Sequence, residues 1–333
     1  MIKIALNGFG RIGRNVLRAL LTTHHKKLNL VAINLGPTST KDLIYAIKYD
    51  SLMGTYTPQE INFENNVLTI NGQQITILTQ ADPAQLPWKQ LAIDWVIDAS
   101  GKFTKRDLSK KHLEAGAKKI LITAPATDED ITIIPGVNDA QYKKEYSIIS
   151  LGSCTTNAIV PALHVISQLA TIEHVSFTTI HAYTNTQVLL DVESKSTRLS
   201  RAAGINMIPS TTGATQVIGK VIPELNGKII GNSIRIPLAK VSLIDAVIIT
   251  TVPLTTEKIN HAFEHAQQES LKNILAITYE PLVSSDFNNN SHSVVIDGSL
   301  TQTQQNITKI FGWYDNEWAY SLRLLDFLEK HIN

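Results

Sequence analysis

The chain opens on a near-continuous apolar run, 2–6, passes through a glycine-rich turn and enters a helically spaced stretch, 15–21. That switch of period predicts a strand followed by a helix. A second apolar run, 28–34, closes a strand–helix–strand unit. The pattern returns as a strand at 94–100, a helix at 105–115 and a strand at 118–124, ended by Pro125. Apolar strands alternating with helices predict a parallel sheet covered on both faces. Residues 60–79 predict short antiparallel strands with a tight turn at Asn71-Gly72. Farther on, the pattern predicts a strand at 146–150, a helix at 158–169, a strand at 175–180 and a helix starting within 208–215. Beyond Val241 it becomes β-rich, with strands at 243–252 and 293–296 around a helix at 256–270. A last helix, 321–331, carries an apolar face of Leu322, Leu325 and Leu328 that suits packing on the first domain.

The first turn gives this pattern a chemical meaning. Gly8, Gly10 and Gly13 fit Gly-x-Gly-x-x-Gly between a strand and a helix, with Arg11 and Ile12 inside the motif. Such a turn brings backbone close to a pyrophosphate and rests it on the helix N-terminus. A glycine turn that binds nothing is the alternative. The carboxylate that usually follows the second strand and holds a ribose is missing. Asn34, Leu35, Gly36, Pro37 and Thr38 stand there, and the nearest acid, Asp42, falls in the next helix. The cofactor is therefore NAD or NADP, with the preference open. Ser100, Gly101 and Thr123 sit at strand C-terminal ends, where open α/β sheets bind ligands, although ordinary turn polarity explains them equally.

These elements predict an α/β fold: a Rossmann dinucleotide-binding domain over 1–152, with 317–333 returning to it, and an α+β catalytic domain with an antiparallel or mixed sheet over 153–316. A length of 333 residues suits two cores. With 18% charged residues and a net charge of +1, nothing points to nucleic acid. A single cysteine excludes an intrachain disulfide and a cysteine-rich zinc site, and no metal is expected. No membrane span or secretory leader is expected, which points to the cytoplasm.

That one cysteine, Cys154, lies between a strand and a helix in Gly152-Ser-Cys-Thr-Thr-Asn157. A lone cysteine is commonly a small buried hydrophobe. Here its polar neighbours suit a site, and a helix start favours the thiolate that attacks carbonyls. A nucleophilic thiol needs a base. His181 ends an apolar strand and opens a polar Tyr-Thr-Asn run, and it is the best candidate among ten histidines. Arg198 and Arg201 lie in the aperiodic stretch 190–203. Thr211, Thr212 and Gly213 offer an oxyanion site or simply a helix cap. Arg235, inside an apolar strand, needs a phosphate or a carboxylate as partner.

Taken together, Asn7-Gly-Phe-Gly-Arg-Ile-Gly-Arg14, Lys48-Tyr-Asp-Ser51, Ser153-Cys-Thr-Thr-Asn157, His181-Ala-Tyr-Thr-Asn185, Ser210-Thr-Thr-Gly213, Lys220-Val-Ile-Pro-Glu-Leu225 and Trp313-Tyr-Asp-Asn-Glu317 resemble the phosphorylating glyceraldehyde-3-phosphate dehydrogenase family over essentially the whole chain. The resemblance implies that Cys154 attacks an aldehyde with His181 as base, and that inorganic phosphate cleaves the resulting thioester, in glycolysis or gluconeogenesis. It implies a substrate-phosphate site at Thr184 and Arg235. It implies an attacking-phosphate site at Ser153, Thr155, Thr212 and Gly213, with Arg201 nearby. It further implies Asn316 on the nicotinamide carboxamide, Tyr320 along the ring, and a homotetramer in which 190–203 packs against a neighbour's cofactor site.

Three departures qualify this. The ribose acid is absent, Thr186 replaces the family's usual aspartate, and Ala158 replaces a second cysteine. Residues 291–298 are similar to the erythrose-4-phosphate dehydrogenase branch and to NADP-tolerant members. The rival readings are that dehydrogenase, disfavoured by the intact Tyr183-Thr-Asn185, a catalytically weak dinucleotide-binding regulator, and a thiol hydrolase with no use for the glycine-rich first half.

Overall fold

A computed structural model describes residues 1–23, 25–194 and 196–331. The chain forms two compact units. The first holds residues 1–133, 140–152 and the chain from Ser321 on; the second holds 134–139 and 153–320.

The first unit is built on a nine-stranded sheet. Its order is Ile131–Thr132, Ile148–Ser150, Lys119–Ile122, Trp95–Asp98, Ile2–Asn7, Leu28–Asn34, Gln73–Leu78, Val67–Ile70, Ile61–Glu64. All neighbouring pairs are parallel except the last two, Gln73–Leu78 with Val67–Ile70 and Val67–Ile70 with Ile61–Glu64. The parallel members read as apolar runs because both faces are covered: Ile4, Ala5, Leu6, Val96 and Ile97 are fully buried. The hairpin at Asn71-Gly72 has φ of +47° and +82°, the left-handed pair a tight turn requires. A second such turn, Asn65-Asn66, precedes it at +50° and +61°.

The helix expected at 105–115 is two single turns, Arg106–Ser109 and Lys111–Glu114. The expected closing helix runs Trp318–Lys330, and residues 332 and 333 lie outside the described ones. Within the first unit its Phe327 meets Trp95 and Tyr142 edge-on, while Leu325 and Leu328 are fully buried.

The second unit has an eight-stranded mixed sheet. Its path is Ile208–Thr211, Ile229–Ile236, Ile172–Ala182, Ser242–Thr250, Ile307–Tyr314, Val294–Asp297, Leu275–Thr278, and Gln302–Gln304 pairs with Ile307–Tyr314 off this path. Two neighbouring pairs are parallel, Ile172–Ala182 with Ile229–Ile236 and Leu275–Thr278 with Val294–Asp297. Helices Cys154–Ser167, Ala214–Val221 and Thr256–Gln268 bury one face through Ile159, Leu163, Val217, Ile218 and Phe263 against Phe177, Ile244 and Ile248. The stretch expected to start a helix at 208–215 begins as a strand, because Ile208–Thr211 completes the sheet edge; the helix starts only at Ala214. The apolar pattern does not mark Ile307–Tyr314 and Leu275–Thr278 as strands; their pairing partners make them so.

Two glycines carry the first turn. Gly8 has φ of +97°, and a Cβ there would lie 2.7 Å from the Ser100 backbone. A Cβ on Gly13 would lie 2.2 Å from the Gly8 carbonyl oxygen, so the helix can approach the strand this closely only without a side chain. Gly13→Ala should therefore destabilise the protein by about 2–4 kcal/mol, as overpacking against rigid backbone does. Urea unfolding checks this, and a change below about 0.5 kcal/mol, the usual surface-substitution range, would mean that the turn yields freely.

Candidate active site

In the second unit Ser153 caps the helix Cys154–Ser167. Its hydroxyl accepts from the Thr156 amide at 3.2 Å, and the Thr156 hydroxyl accepts from the Ser153 amide at 2.7 Å. This reciprocal cap makes Cys154 the first helical residue, so the sulfur stands over free amides. His181 lies near the end of the strand Ile172–Ala182, and its Nε2 is 3.6 Å from Cys154 Sγ. That strand pairs in register with Ile229–Ile236, His181 against Arg235, so both side chains share a face. Arg235 Nη1 is 2.7 Å from His181 Nδ1 and donates to the Ala182 carbonyl at 3.2 Å. The same carbonyl is 2.6 Å from Nδ1. The guanidinium only donates and the carbonyl only accepts, so Nδ1 cannot serve both at once. With the proton on Nδ1 the carbonyl accepts from the ring and from Arg235 alike, and the Nε2 lone pair faces the sulfur, the state a base requires.

A buried hydroxyl chain sets the spacing. Tyr314 OH is 3.1 Å from Thr155 Oγ1 on the cysteine's helix and 2.8 Å from Thr179 Oγ1 on the histidine's strand. Ser242, in register with Tyr314, accepts from the Ala182 amide at 3.1 Å. Tyr314 and Asn316 lie in a motif quoted above; Thr179 and Ser242 have no local signal, because their roles arise from strand register alone.

The electrostatics are set by burial and by one cation. Burial and the Arg235 guanidinium hold His181 down to about 3, so the ring is neutral and free to accept a proton. Burial pushes the Cys154 thiol up, while Arg235, the Thr155 hydroxyl and the amides of residues 154 and 155 pull it down. The depression expected at a helix start is thus one side of a balance in which burial prevails. The cysteine is only partly buried, and water reaching it tempers the upward push. Burial also pushes Tyr314 well above its ordinary value, keeping its hydroxyl protonated as a bridge.

In the first unit the glycine turn borders a cleft of about 550 Å³ lined by Gly8, Gly10, Asn34, Leu35 and Ser100. A Cβ on Gly10 would meet nothing within 4 Å, so the backbone is open to a ligand there. The strand ends beneath the cleft are cross-linked. Asn34 donates to Asn7 Oδ1 at 2.7 Å and to the Gln80 carbonyl at 2.9 Å. Ser100 donates to Asp98 at 2.6 Å, and the other Asp98 oxygen lies 3.2 Å from His112 Nε2. Trp88 donates to His112 Nδ1 at 3.0 Å, which places the histidine proton on the Asp98 side. Arg11 pairs with Asp50 at 2.5 Å and Gly13 packs on Gly8; Arg11, Ile12, Gly13, Gly101 and Thr123 are not among the residues lining this cleft. Asp42 does line it, as the residue preceding the helix Leu43–Lys48 rather than inside it.

The profile described as the glyceraldehyde 3-phosphate dehydrogenase NAD binding domain matches residues 2–106, and its C-terminal counterpart matches 153–316. Glyceraldehyde-3-phosphate dehydrogenase 2 of Bacillus subtilis (strain 168) is 42% identical over 99% of this chain and 96% of its own. Glyceraldehyde-3-phosphate dehydrogenase 1 of Bacillus cereus is 43% identical over 98% and 97%. The chloroplastic A form of Chlamydomonas reinhardtii is 42% identical over 98% and 88%. The chain belongs to the glyceraldehyde-3-phosphate dehydrogenase family.

Of the site residues expected in the second unit, Cys154, His181 and Arg235 come together, with Thr155 beside Cys154 on its helix. Thr184 lies in its own turn, with Oγ1 3.0 Å from Thr186 Oγ1 and its amide on Gln187 at 2.8 Å. Thr212 accepts from the Ala214 amide at 3.2 Å, beside an exposed Gly213. Arg201 pairs with Asp191 at 2.6 Å inside the 190–203 loop, of which residue 195 lies outside the described residues. Tyr320 is buried, and Asn316 accepts from Ser242 at 3.3 Å. Among the described residues no group of three or more histidines, cysteines and acids is placed to hold a metal, and no helix is long and apolar enough to cross a membrane.

Because Arg235 stabilises the thiolate, Arg235→Gln should move the midpoint of Cys154 alkylation by iodoacetamide to higher pH by about one unit, the scale of one nearby charge. Rates measured from pH 5 to 10 check this. An unmoved or lowered midpoint would show that the guanidinium does not act on the sulfur.

Proposed function

We propose that the protein oxidises glyceraldehyde 3-phosphate with NAD or NADP and inorganic phosphate to 1,3-bisphosphoglycerate, as a cytoplasmic homotetramer. One observation carries the reading: a sulfur at a helix start, 3.6 Å from a neutral histidine that has an arginine on its far nitrogen. Cys154 Sγ attacks the aldehyde carbon, and His181 Nε2 manages the proton. The resulting thiohemiacetal oxyanion meets the imidazole and the amides at the helix start. The nicotinamide, when bound, supplies the acceptor for the hydride leaving that carbon. The thioester left on Cys154 is then cleaved by phosphate oxygen, which restores the thiolate and releases the acyl phosphate.

The residues fit these groups. Gly10 leaves backbone open for a pyrophosphate beside the tightly packed Gly8, and Asn34, Leu35, Ser100 and Asp42 border the adenosine side. Arg235 Nε is buried and has no acceptor among the described residues, which suits the substrate phosphate, with Thr184 as its partner. Ser153, Thr155, Thr212 and Gly213 form the attacking-phosphate site, with Arg201 beside it; Asn316 holds the carboxamide and Tyr320 lines the ring. Leu189, Leu190, Ile205 and Met207 are 85%, 74%, 81% and 75% exposed on and beside the 190–203 loop, an apolar surface that supports the tetramer.

Cys154→Ser should lower kcat by about a thousandfold or more, since an alcohol at neutral pH is a far weaker nucleophile than a thiolate. Pre-steady-state thioester formation checks this, and a near-normal burst would remove Cys154 from its role. With Leu35 in place of the ribose acid, kcat/KM for NADP should lie within about a hundredfold of that for NAD. A thousandfold preference for NAD, abolished by Asp42→Asn, would instead assign the discrimination to Asp42.

A further inference from the structure

Val241 is a β-branched residue at φ +66°, a conformation its Cβ makes crowded, and one kept only where the surroundings hold it. Its side chain is 1% exposed, in a cluster with Phe287 and Val295. On either side of this strained residue, two side chains reach one turn. Lys240 Nζ lies 3.0 Å from Asp315 Oδ2 and donates to Asn289 Oδ1 at 2.6 Å. Ser242 Oγ donates to Asn316 Oδ1 at 3.3 Å.

The Lys240–Asp315 pair is almost fully buried, with side chains 5% and 0% exposed. Asp315 Oδ2 also accepts from the Asn289 amide at 2.8 Å, and Oδ1 accepts from the amides of Glu317 at 3.0 Å and Trp318 at 2.9 Å. The carboxylate thus ties the backbone before Asn316 to the backbone after it. A buried ion pair is a poor source of net stability but a good source of fixed geometry. Lys240 reaches Asn316 through Asp315, the residue before it, and Ser242 reaches it directly while also holding the Ala182 amide.

We propose that the Lys240–Asp315 ion pair, with the strained Val241 backbone between Lys240 and Ser242, is the positioning device that orients the Asn316 amide toward the carboxamide of the dinucleotide. The proposal rests on the reading of Asn316 given above. Lys240 and Asp315 are positioning residues, and they touch no substrate.

The test compares binding of NAD and of ADP-ribose, which lacks the nicotinamide, by titration calorimetry on the full chain. Asp315→Asn and Lys240→Met should each weaken NAD by about tenfold, the size of one misplaced hydrogen bond, and leave ADP-ribose within about twofold, a difference below the energy of any single such bond. Lys240→Arg should recover part of the loss. Equal weakening of both ligands, or of neither, overturns the proposal. Should the buried variants fail to fold, Asn289→Gly loosens Lys240 at an exposed position with φ +60°, which glycine adopts without strain. It should give a smaller loss confined to NAD, and an unchanged ratio overturns the proposal. Asn316→Ala separates the two layers. If it leaves the ratio of the two affinities unchanged, the carboxamide reading fails and takes the proposal with it. If it lowers the ratio and the Lys240, Asp315 and Asn289 variants do not, the positioning role alone is wrong.

Discussion

The pairing of Ile172–Ala182 with Ile229–Ile236 is the constraint on which the site depends. In this register His181 faces Arg235, and both point to the side where the cysteine helix begins. A slip of one residue would turn the imidazole to the opposite face, away from the thiol. Tyr314 locks the arrangement from beneath. Its hydroxyl links Thr155 and Thr179, so the sulfur-to-imidazole distance is held by the packed interior of the sheet rather than by a loop.

One guanidinium acts on both the imidazole and the thiol. Near His181 it opposes a second positive charge, adding to burial and keeping the ring neutral. Near Cys154 it favours the anion and opposes burial. The same cation therefore keeps the imidazole neutral and eases ionisation of the thiol. This division arises because the two groups have opposite charges in their ionised forms. A salt bridge to a carboxylate would neutralise Arg235 and remove both effects; its buried Nε instead has no acceptor among the described residues.

The first unit solves a different problem, which is to leave backbone bare at the end of a sheet without losing the sheet's order. Asn7, Asn34 and Asp98 cross-link three neighbouring strand ends, and His112 and Trp88 extend the network into the core. The glycine turn rests on this frame. Asn34 is consequently committed to structure, and its amide is not free to take over the function of the missing ribose acid.

Much of this was legible in the chain itself. The glycine turn, the apolar parallel strands, the Asn71-Gly72 hairpin and the cysteine at a helix start are signals between residues a few positions apart, where backbone geometry and local burial act directly. Cys154 and His181 stood out because each is polar at the end of an apolar run. Tertiary structure alone decided what surrounds them. His181 lies 27 positions from Cys154, and Tyr314 lies 159 from Thr155. Their contacts depend on strand register and on helices packed over one sheet face, which no local window contains. The same holds for Ile208–Thr211, a strand only because a neighbour accepts it, and for the balance on the Cys154 thiol, where burial by distant residues opposes the pull of its own helix.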